Sequence, residues 1–226
     1  MTTIAKPVDA PRPQDKSAGK AARRTQAERS ASTRKAVVDA AIRCLFEHGY
    51  GTTTTMLVAA EAGVSRGGML HQFPTKHDLM AYVVEAVFEE EVRLYGELLR
   101  GIDDPGERLL AYPGAVWKMM SRPAGVAVLE ILQGSRSDKA LADKLAKSYE
   151  RIEAEAHQRL EQEFPGGVSM PLYQLIVAVA RGLSTNQLIG SGKQGVDGAL
   201  ELFRELLKAG AEKHIFVPDK PRQTQN

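Results

Sequence analysis

A serine and several histidines have the types and the chain order of a hydrolytic site. Residues 63–67 have the sequence GVSRG, which matches the G-x-S-x-G pattern around the nucleophilic serine of α/β-hydrolases. In such a site a histidine removes the serine proton so that the hydroxyl oxygen can attack a carbonyl carbon. The pattern also requires a buried strand directly before the serine, whereas residues 56–62, MLVAAEA, are alanine-rich and typical of a helix. We therefore predict that the chain is not an enzyme, although four histidines follow the serine: His71, His77, His157 and His214.

No other pattern in the sequence predicts a cofactor or a metal ion. A phosphate-binding loop needs Ser or Thr after its Gly-Lys pair, but Lys193 is followed by Gln194. The five histidines lie 23, 6, 80 and 57 residues apart, and Cys44 is the one cysteine, so the ligand spacing of a zinc site is missing. We expect Cys44 to be a small buried apolar side chain, and we predict neither a metal nor a cofactor.

The serine lies instead where a short helix is expected to begin. Ala59 is small where two helices must cross closely, and Gly63 follows four residues later, where the chain needs a positive φ to turn sharply. Val64 and Met69 are apolar where the second helix packs back on the first, and a third helix begins beyond Pro74. Two helices joined by a short glycine-containing turn form a helix-turn-helix, whose second helix can enter the major groove of DNA.

The outward face of the second helix has few apolar groups and little bulk. We expect it to approach DNA with Ser65, Arg66, Gly67, Leu70 and His71. The Arg66 guanidinium can bind guanine O6 and N7 bidentately, a contact that discriminates between bases by ~1 to 3 kcal/mol; the alternatives are a phosphate contact and a solvent-facing side chain. Gln72 can recognise adenine or phosphate. Gly67 and Gly68 weaken the helix by up to ~1 kcal/mol each relative to alanine, which permits close backbone approach or leaves a helix that becomes firm only on DNA.

The residues that start the neighbouring helices are also candidate phosphate contacts. Thr53 or Thr54 is expected to cap the first helix of the motif with its hydroxyl, and such a helix end also favours an anion. A DNA phosphate is the expected anion, and the alternative is a cap without DNA. Thr75 caps the next helix, and Lys76 lies in its first turn, where a cation is unfavourable for the helix dipole. Bound phosphate would compensate.

These motifs together resemble a known family. Residues 49–80, GYGTTTTMLVAAEAGVSRGGMLHQFPTKHDLM, are similar to the N-terminal signature of the TetR-like transcriptional regulators, and the similarity runs from about Arg29 to about Val84. Gly68 and Leu70 depart from it, since family members usually carry Thr or Ser and Tyr there. The resemblance also implies a phosphate-binding lysine at Lys76. The DNA-contacting residues that we predict are Thr53, Thr54, Ser65, Arg66, Gly67, Gly68, Leu70, His71, Gln72 and Lys76.

Charge and composition agree with a DNA-binding front half in a protein of 226 residues. The net charge is +2, yet residues 1–80 carry 12 Lys and Arg against 7 Asp and Glu, while residues 81–226 carry 18 against 21. The longest apolar runs, such as LIVAVA at 175–180, are far shorter than a membrane span. The N terminus lacks the apolar stretch of a secretory signal. With a single cysteine, a reducing cytoplasm is the expected compartment.

The pattern along the chain predicts an all-α fold. We expect a disordered basic arm at 1–26, a helix-turn-helix DNA-binding domain at 27–80, a helical effector-binding and dimerisation domain at 81–216, and a disordered tail at 217–226. Predicted helices cover about 28–48, then 76–100, then 106–121 with an interruption at Pro113. They continue over about 124–134, 137–164, 170–189 and 196–214, with a flexible GSGKQG segment before the last.

The resemblance implies a ligand pocket and a dimer interface in the C-terminal helices. A pocket lined by apolar and aromatic groups would bind a small apolar or amphipathic effector, with Tyr112, Trp117, Met120, Leu129 and Tyr173 as candidates; the alternative for each is core packing. The last two helices are apolar over wide faces, and the family pairs them with a second subunit in a four-helix bundle. The interface residues that we predict are Leu172, Leu175, Ile176, Val179, Leu183, Leu200, Phe203 and Leu207.

The hypothesis that follows is a ligand-responsive transcriptional regulator. It would act as a homodimer, most simply as a repressor, on a double-stranded DNA operator with half-sites about 34 Å apart and pseudo-palindromic sequence. A small-molecule effector would release it from the operator. The alternative from another class is an all-α module that binds small molecules or other proteins and whose DNA-binding motif is vestigial.

Overall fold

The described part of the chain is entirely helical. The computed structural model describes residues 26–164, 168–190, 193–213 and 215, and these contain no strand, which confirms the predicted all-α class. The predicted arm 1–26 (except Gln26) and the predicted tail 217–226 lie outside the described residues. The nine helices described are α1 Gln26–Thr52, α2 Thr55–Glu61, α3 Arg66–Gln72, α4 Lys76–Leu98, α5 Pro105–Met120, α6 Pro123–Ser135, α7 Lys139–Glu163, α8 Met170–Leu188 and α9 Lys193–Glu212.

Short polar side chains explain where several helices begin. The Thr54 hydroxyl accepts a hydrogen bond from the Leu57 amide at 3.1 Å, so Thr54 caps α2. Thr75 and Asp78 form a reciprocal capping box at the start of α4: the Thr75 hydroxyl accepts from the Asp78 amide at 3.1 Å, and the Asp78 carboxylate accepts from the Thr75 amide at 3.0 Å. Asp138 caps α7 with its carboxylate. Each such cap stabilises its helix by ~1 kcal/mol.

Two helices contain a glycine or a proline that could interrupt them, and a third begins earlier than predicted. Gly49 has φ 75° and ψ 173°, so regular α1 is interrupted directly after its predicted end at about residue 48, and one more turn follows up to Thr52. The prediction that Pro113 interrupts a helix is wrong, because α5 continues through it and buries it in the core; a proline removes one backbone hydrogen bond, and its burial offsets that loss. The last helix begins at Lys193, three residues before the predicted start.

The helix-turn-helix shares an apolar core with later parts of the chain. This first core contains side chains from α1 to α4, and it also contains residues from α6 and α7. Cys44 is 3% exposed and belongs to this core, which confirms its predicted role as a small buried side chain. The fully buried larger members are Val37, Leu45, Val58, Met69, Leu79, Met80, Val83, Ile131 and Leu141.

A second core joins the C-terminal helices. Residues of α5, α7, α8 and α9 meet there, and the Tyr112 ring packs edge-on against Phe164 with centroids 5.8 Å apart. Helix α4 belongs to both cores: its first half supplies side chains such as Val83 to the first core, and Tyr95 and Leu99 at its end pack in the second. Among the helices described, none combines the length and the hydrophobicity that a membrane span requires.

Candidate DNA-binding surface and ligand cavity

A glycine turn holds α2 and α3 in the predicted helix-turn-helix. Gly63 has φ 65°, which confirms the predicted positive φ and which an L side chain rarely adopts. The Val64 amide donates to the Ala59 carbonyl at 3.0 Å, so the chain reverses directly after α2. Ala59 and Met69 are 3% and 1% exposed. The two helices therefore pack through the small and apolar positions that the sequence indicates.

The outward face of α3 is open to solvent. Ser65, Arg66, Gly67, Leu70 and His71 are all exposed. Among the described residues, Arg66 has no hydrogen-bond or ion-pair partner, so its guanidinium is available to a ligand. The Ser65 hydroxyl caps α3 by accepting from the Gly68 amide at 3.1 Å, and Gly68 itself is half-buried.

One apolar residue beside this face was not predicted. Met56 of α2 is 54% exposed, lies beside the same shallow cleft as Arg66, and shares that cleft with Leu70, which is 40% exposed. The signal that could have found Met56 is its place directly after the capping threonines, one turn before the buried Ala59. An apolar contact of this kind suits the methyl group of thymine.

The Gln72 side chain is held by α1, and its role in recognising DNA stays a prediction. Its Nε2 donates to the Ser30 hydroxyl at 3.0 Å, and its Oε1 accepts from Nη2 of Arg34 at 3.2 Å. Both ends of the amide are thus used inside the protein. Arg34 also lies over the Tyr82 ring of α4, 5.6 Å from its centroid. Gln72 therefore joins the end of α3 to residues of α1, one of which also contacts α4.

The threonines before α2 divide into one exposed and one buried side chain. Thr54 is exposed and caps α2. Thr53 is fully buried, and its hydroxyl donates to the Gly49 carbonyl at 2.7 Å, so the prediction that Thr53 contacts DNA is wrong for this structure. Its hydroxyl satisfies the backbone where α1 is interrupted.

Lys76 also makes contacts inside the protein, and its phosphate contact stays a prediction. Its Nζ donates to the Tyr50 carbonyl at 2.7 Å and lies 3.9 Å from the centroid of the Tyr50 ring. Burial lowers the pKa of Lys76, against the opposing effect of Asp138. A carbonyl and an aromatic face therefore offset the unfavourable position of this cation at a helix N terminus.

Tyr50 and Lys76 belong to a polar cluster that joins the helix-turn-helix to later helices. We call it the junction cluster, and it consists of Tyr50, Lys76, His77, Glu130 and Asp138. The Tyr50 amide donates to Glu130 of α6 at 3.0 Å, and Nε2 of His77 lies 2.9 Å from Oδ2 of Asp138. Hydrogen bonds, first from the Leu141 amide and then from His77 and Tyr50, lower the pKa of Asp138 to about 2. The ionised carboxylate of Asp138 therefore stabilises the folded state.

A cavity of about 340 Å³ lies among α4, α6, α7 and α8. A second cavity of about 280 Å³ adjoins it and shares Phe88, Tyr95 and Tyr173 with it. Of the predicted pocket residues, Met120, Leu129 and Tyr173 line the first cavity and Tyr112 lines the second. Trp117 lines neither and packs beside the second core, so its predicted place in the pocket is wrong; its buried Nε1 has no hydrogen-bond partner among the described residues.

Sequence reasoning missed the polar part of the first cavity. Glu91 of α4 lines it, together with Tyr149 of α7 and Arg181 of α8. Burial raises the pKa of Glu91 to about 7, while Arg122 and Arg181 act in the opposite direction. The available signal was a carboxylate within the apolar stripe of α4, four residues after Val87 and four before Tyr95.

The predicted dimer face needs a correction. Four of its residues, Leu172, Ile176, Phe203 and Leu207, are buried in the second core of the same chain, so they are not free to meet another subunit. Leu175 is 49% exposed, while Val179, Leu183 and Leu200 are half-buried. Four exposed apolar residues of this region lie outside the predicted set: Leu188 of α8, Ile189 directly after it, and Leu202 and Leu206 of α9. Helix α9 has two apolar stripes, and helical spacing alone does not tell which one faces inward.

Neither a metal site nor a hydrolase arrangement is present among the described residues. They contain no group of three or more His, Cys, Asp or Glu side chains placed to hold a metal ion. The GVSRG segment follows the helix α2 and begins the helix α3. It therefore lacks the strand that a nucleophile turn requires.

Comparison with known proteins agrees with this geometry. Residues 37–83 match the family described as bacterial regulatory proteins, tetR family. An uncharacterised HTH-type transcriptional regulator of Mycobacterium tuberculosis is 28% identical over 171 residues, which cover 74% of this chain and 85% of that protein. The HTH-type transcriptional regulator CymR of Pseudomonas putida is 43% identical over 68 residues, or 30% of this chain and 34% of that one.

A solved structure shows the same fold. A transcriptional regulator from Saccharomonospora viridis, in complex with choline, has a TM-score of 0.56 and 20% identity, and the match covers 80% of this chain and 96% of that one. The matched family and relatives are transcriptional regulators rather than enzymes. They do not favour a module with a vestigial motif. The chain is therefore a TetR-like DNA-binding regulator, and residues 37–83 carry the match to that family.

Proposed function

We propose that this regulator is a homodimeric repressor that a small molecule releases from its operator. The observation that carries the DNA-binding part is the open face of α3, where Arg66 is exposed and lacks a partner among the described residues. The contacts that we propose for DNA come from Thr54, Ser65, Arg66, Gly67, Gly68, Leu70 and His71. Gly67 has open space where a Cβ would lie, so the backbone of α3 can approach DNA closely.

A second copy of the chain is the proposed partner of α8 and α9. Leu175, Leu202 and Leu206 are 49%, 64% and 59% exposed, and residues 202 and 206 lie one turn apart on α9. Gly182 and Gly198 have open space where a Cβ would lie, which lets helices from two subunits pack closely. A twofold axis through this face gives a four-helix bundle. We expect this dimer to bind half-sites about 34 Å apart with its two copies of α3, which predicts a pseudo-palindromic operator.

The cavity beside α4 is the proposed effector site. Three residues separate the end of α3 from the start of α4, and α4 also supplies Val84, Phe88 and Glu91 to the cavity wall. A ligand that moves this wall also moves the support of α3 and changes the separation of the two recognition helices. Coupling of this kind amounts to ~1 to 3 kcal/mol. The choline complex of a neighbour with this fold supports a small-molecule site.

Repression would result from occupation of the operator by the dimer. A dimer bound over two half-sites excludes other proteins from the same DNA, and a ligand that lowers its operator affinity restores access. We place this activity in the cytoplasm, where the DNA of a bacterial regulator lies.

Operator selection tests the DNA-binding part of the proposal. Double-stranded fragments of random sequence are passed over the full-length protein, and the retained fragments are amplified and sequenced through successive rounds. We expect a pseudo-palindromic sequence to be enriched and to bind two protein chains. Recovery of fragments without a common sequence would contradict operator recognition.

The switch is tested separately, with the selected operator. Its affinity is measured with and without each member of a panel of small amphipathic compounds, and a scrambled fragment of equal length is the control. We expect one class of compound to lower operator affinity by about tenfold or more and to leave the weak binding of the scrambled fragment nearly unchanged. Unchanged operator affinity in the presence of a compound shown to fill the cavity would remove the switch and leave DNA binding intact.

A further inference from the structure

Glu91 lies in the wall of the cavity among α4, α6, α7 and α8, and no described residue is its hydrogen-bond or ion-pair partner. The positive charges of Arg122 and Arg181 nevertheless influence its carboxylate. A carboxylate removed from water is costly unless a positive charge or hydrogen bonds compensate it. Glu85, another carboxylate of α4, does have partners: it accepts from the Ser148 hydroxyl at 2.7 Å and pairs with Arg151 at 3.1 Å. The Glu91 carboxylate is therefore available to bind a ligand in the cavity.

The other lining groups favour a cation. The wall carries two carboxylates, Glu91 and the exposed Glu153, against one guanidinium, Arg181. Burial raises the pKa of Tyr149 to about 12 and that of Tyr173 above its ordinary value, so these phenols stay neutral and supply ring faces and hydroxyl oxygens. Aromatic faces attract cations, and most strongly where water is excluded. The remaining aromatic members of the wall are Phe88 and Tyr95.

We propose that this cavity binds an amphipathic organic cation, with the Glu91 carboxylate as counter-ion and the four aromatic side chains as the walls around its apolar body. The proposal rests on the proposed ligand-responsive function and names the class of ligand for that same site. The cavity volume of about 340 Å³ lies within the range of small-molecule sites.

The proposed contact also makes binding dependent on pH. Burial places the pKa of Glu91 near 7, so near neutrality the empty site is partly protonated. A permanent cation prefers the carboxylate, so its binding lowers that pKa and releases a proton, and its affinity rises with pH until Glu91 is ionised. The other charged or titratable groups that line the cavities beside Glu91 are Tyr82, Glu90, Arg93 and Tyr95 of α4, Tyr149 and Glu153 of α7, Tyr173 and Arg181 of α8, Arg122 before α6, and Arg34, Lys35 and Asp39 of α1.

Three probes of similar shape and different charge test the proposal. They are (4-hydroxyphenyl)trimethylammonium, 4-tert-butylphenol and 4-hydroxybenzenesulfonate, which carry a positive, a neutral and a negative tetrahedral group on the same ring. Affinity is measured by calorimetry on the full-length protein without DNA. At about pH 7.5, where most of Glu91 is ionised, we expect the ammonium to bind at least about tenfold more tightly than the neutral probe, and the sulfonate most weakly. Lowering the pH to about 6 should weaken only the ammonium.

Two matched variants assign the effect to one carboxylate. Glu91→Gln should remove the preference for the ammonium and its pH dependence while keeping the affinity for 4-tert-butylphenol. Glu153→Gln, a change of the same kind at the exposed carboxylate of the same wall, should retain both. Equal affinity for the ammonium and neutral probes, tightest binding of the sulfonate, or no binding of any probe at millimolar concentration would overturn the proposal. Glu91-dependent ammonium binding that leaves operator affinity unchanged would sustain this inference and reject the proposed switch.

Discussion

The Tyr50 hydroxyl donates a hydrogen bond of 2.9 Å to Oδ2 of Asp138, a residue 88 positions later in the chain. The same oxygen of Asp138 lies 2.9 Å from Nε2 of His77. Gly134 permits this approach, because a Cβ at that position would lie 2.3 Å from the Tyr50 ring. One carboxylate therefore ties the end of α1, the start of α4 and the start of α7 together.

Removing the Tyr50 hydroxyl tests the importance of this tie. Tyr50→Phe keeps the ring over Lys76 and beside Gly134 but loses the bond to Asp138. We expect the free energy of unfolding to fall by about 1 to 2 kcal/mol, measured by chemical denaturation at neutral pH. Tyr82→Phe is the matched control, since no hydrogen bond involves the Tyr82 hydroxyl among the described residues, and it should change little. Equal losses in the two variants would show that the bond to Asp138 contributes nothing.

Tyr50→Phe should also change the pH at which the protein unfolds in acid. The pKa of Asp138 is lowered to about 2 from 3.8, so its charge stabilises the fold above the unfolded value, and this stabilisation is lost as the pH falls through about 2. Tyr50→Phe removes one of the hydrogen bonds that lower this pKa, so the loss should begin at a higher pH than in the parent protein. Acid unfolding curves that coincide in shape would contradict this assignment.

Arg66 is the best test of base recognition. Arg66→Ala should weaken binding to the selected operator by about 1 to 3 kcal/mol, while binding to random DNA should change far less. The measurement is a pair of titrations at one fixed salt concentration. Arg100→Ala, which removes an exposed arginine after the end of α4, is the control. An equal loss on both DNAs would make Arg66 a phosphate contact instead.

The exposed leucines of α9 test the proposed dimer. Leu206→Glu places a charge on a side chain that is 59% exposed in the single chain, so the fold should persist while association weakens, because a buried unpaired charge is costly. Sedimentation analysis should show a shift from dimer to monomer. The monomer should also lose operator affinity, since two linked contacts become one.

Leu98→Glu is the control for that substitution, because Leu98 is 40% exposed at the end of α4 and lies outside the proposed interface. It should remain dimeric. A Leu206→Glu protein that sediments as a dimer would place the interface elsewhere.

Glu91 should make stability depend on pH in a direction opposite to that of Asp138. Burial raises its pKa to about 7 from 4.5, so the protonated form is favoured by folding, and the stability that this gives is present below the unfolded value and lost as the pH rises towards about 7. Glu91→Gln should therefore increase the free energy of unfolding by about 1 to 3 kcal/mol at about pH 8 and by little at about pH 4. Denaturation at the two pH values measures this difference. A difference that stays constant with pH would contradict the raised pKa.

The helix-turn-helix was predictable because its constraints are local. A positive φ at Gly63 and small or apolar side chains at Ala59 and Met69 act within a few residues of one another, so the sequence contains the reason for the turn. The roles of Thr53, Gln72 and Lys76 depend on partners in α1 or near its end. No pattern near these residues indicates that their polar groups are already used.

The C-terminal site was less predictable for the same physical reason. Helical spacing identifies the apolar stripes of α8 and α9, but it does not tell which neighbour each stripe meets. On α9, Phe203 and Leu207 face the core, whereas Leu202 and Leu206 face outward. Glu91 becomes notable only after α7 and α8 enclose it. Tyr173 lines both cavities and Trp117 lines neither, because an aromatic side chain suits a core as well as a cavity wall.

Helix α4 belongs to both apolar cores, and this affects how the protein unfolds. Val83 of α4 is buried in the first core, and Leu99, directly after α4, is buried in the second. Disordering the whole helix therefore uncovers apolar surface in both cores. The two halves should then melt in a single cooperative transition. A protease that cut within α4 would leave neither fragment with a complete core.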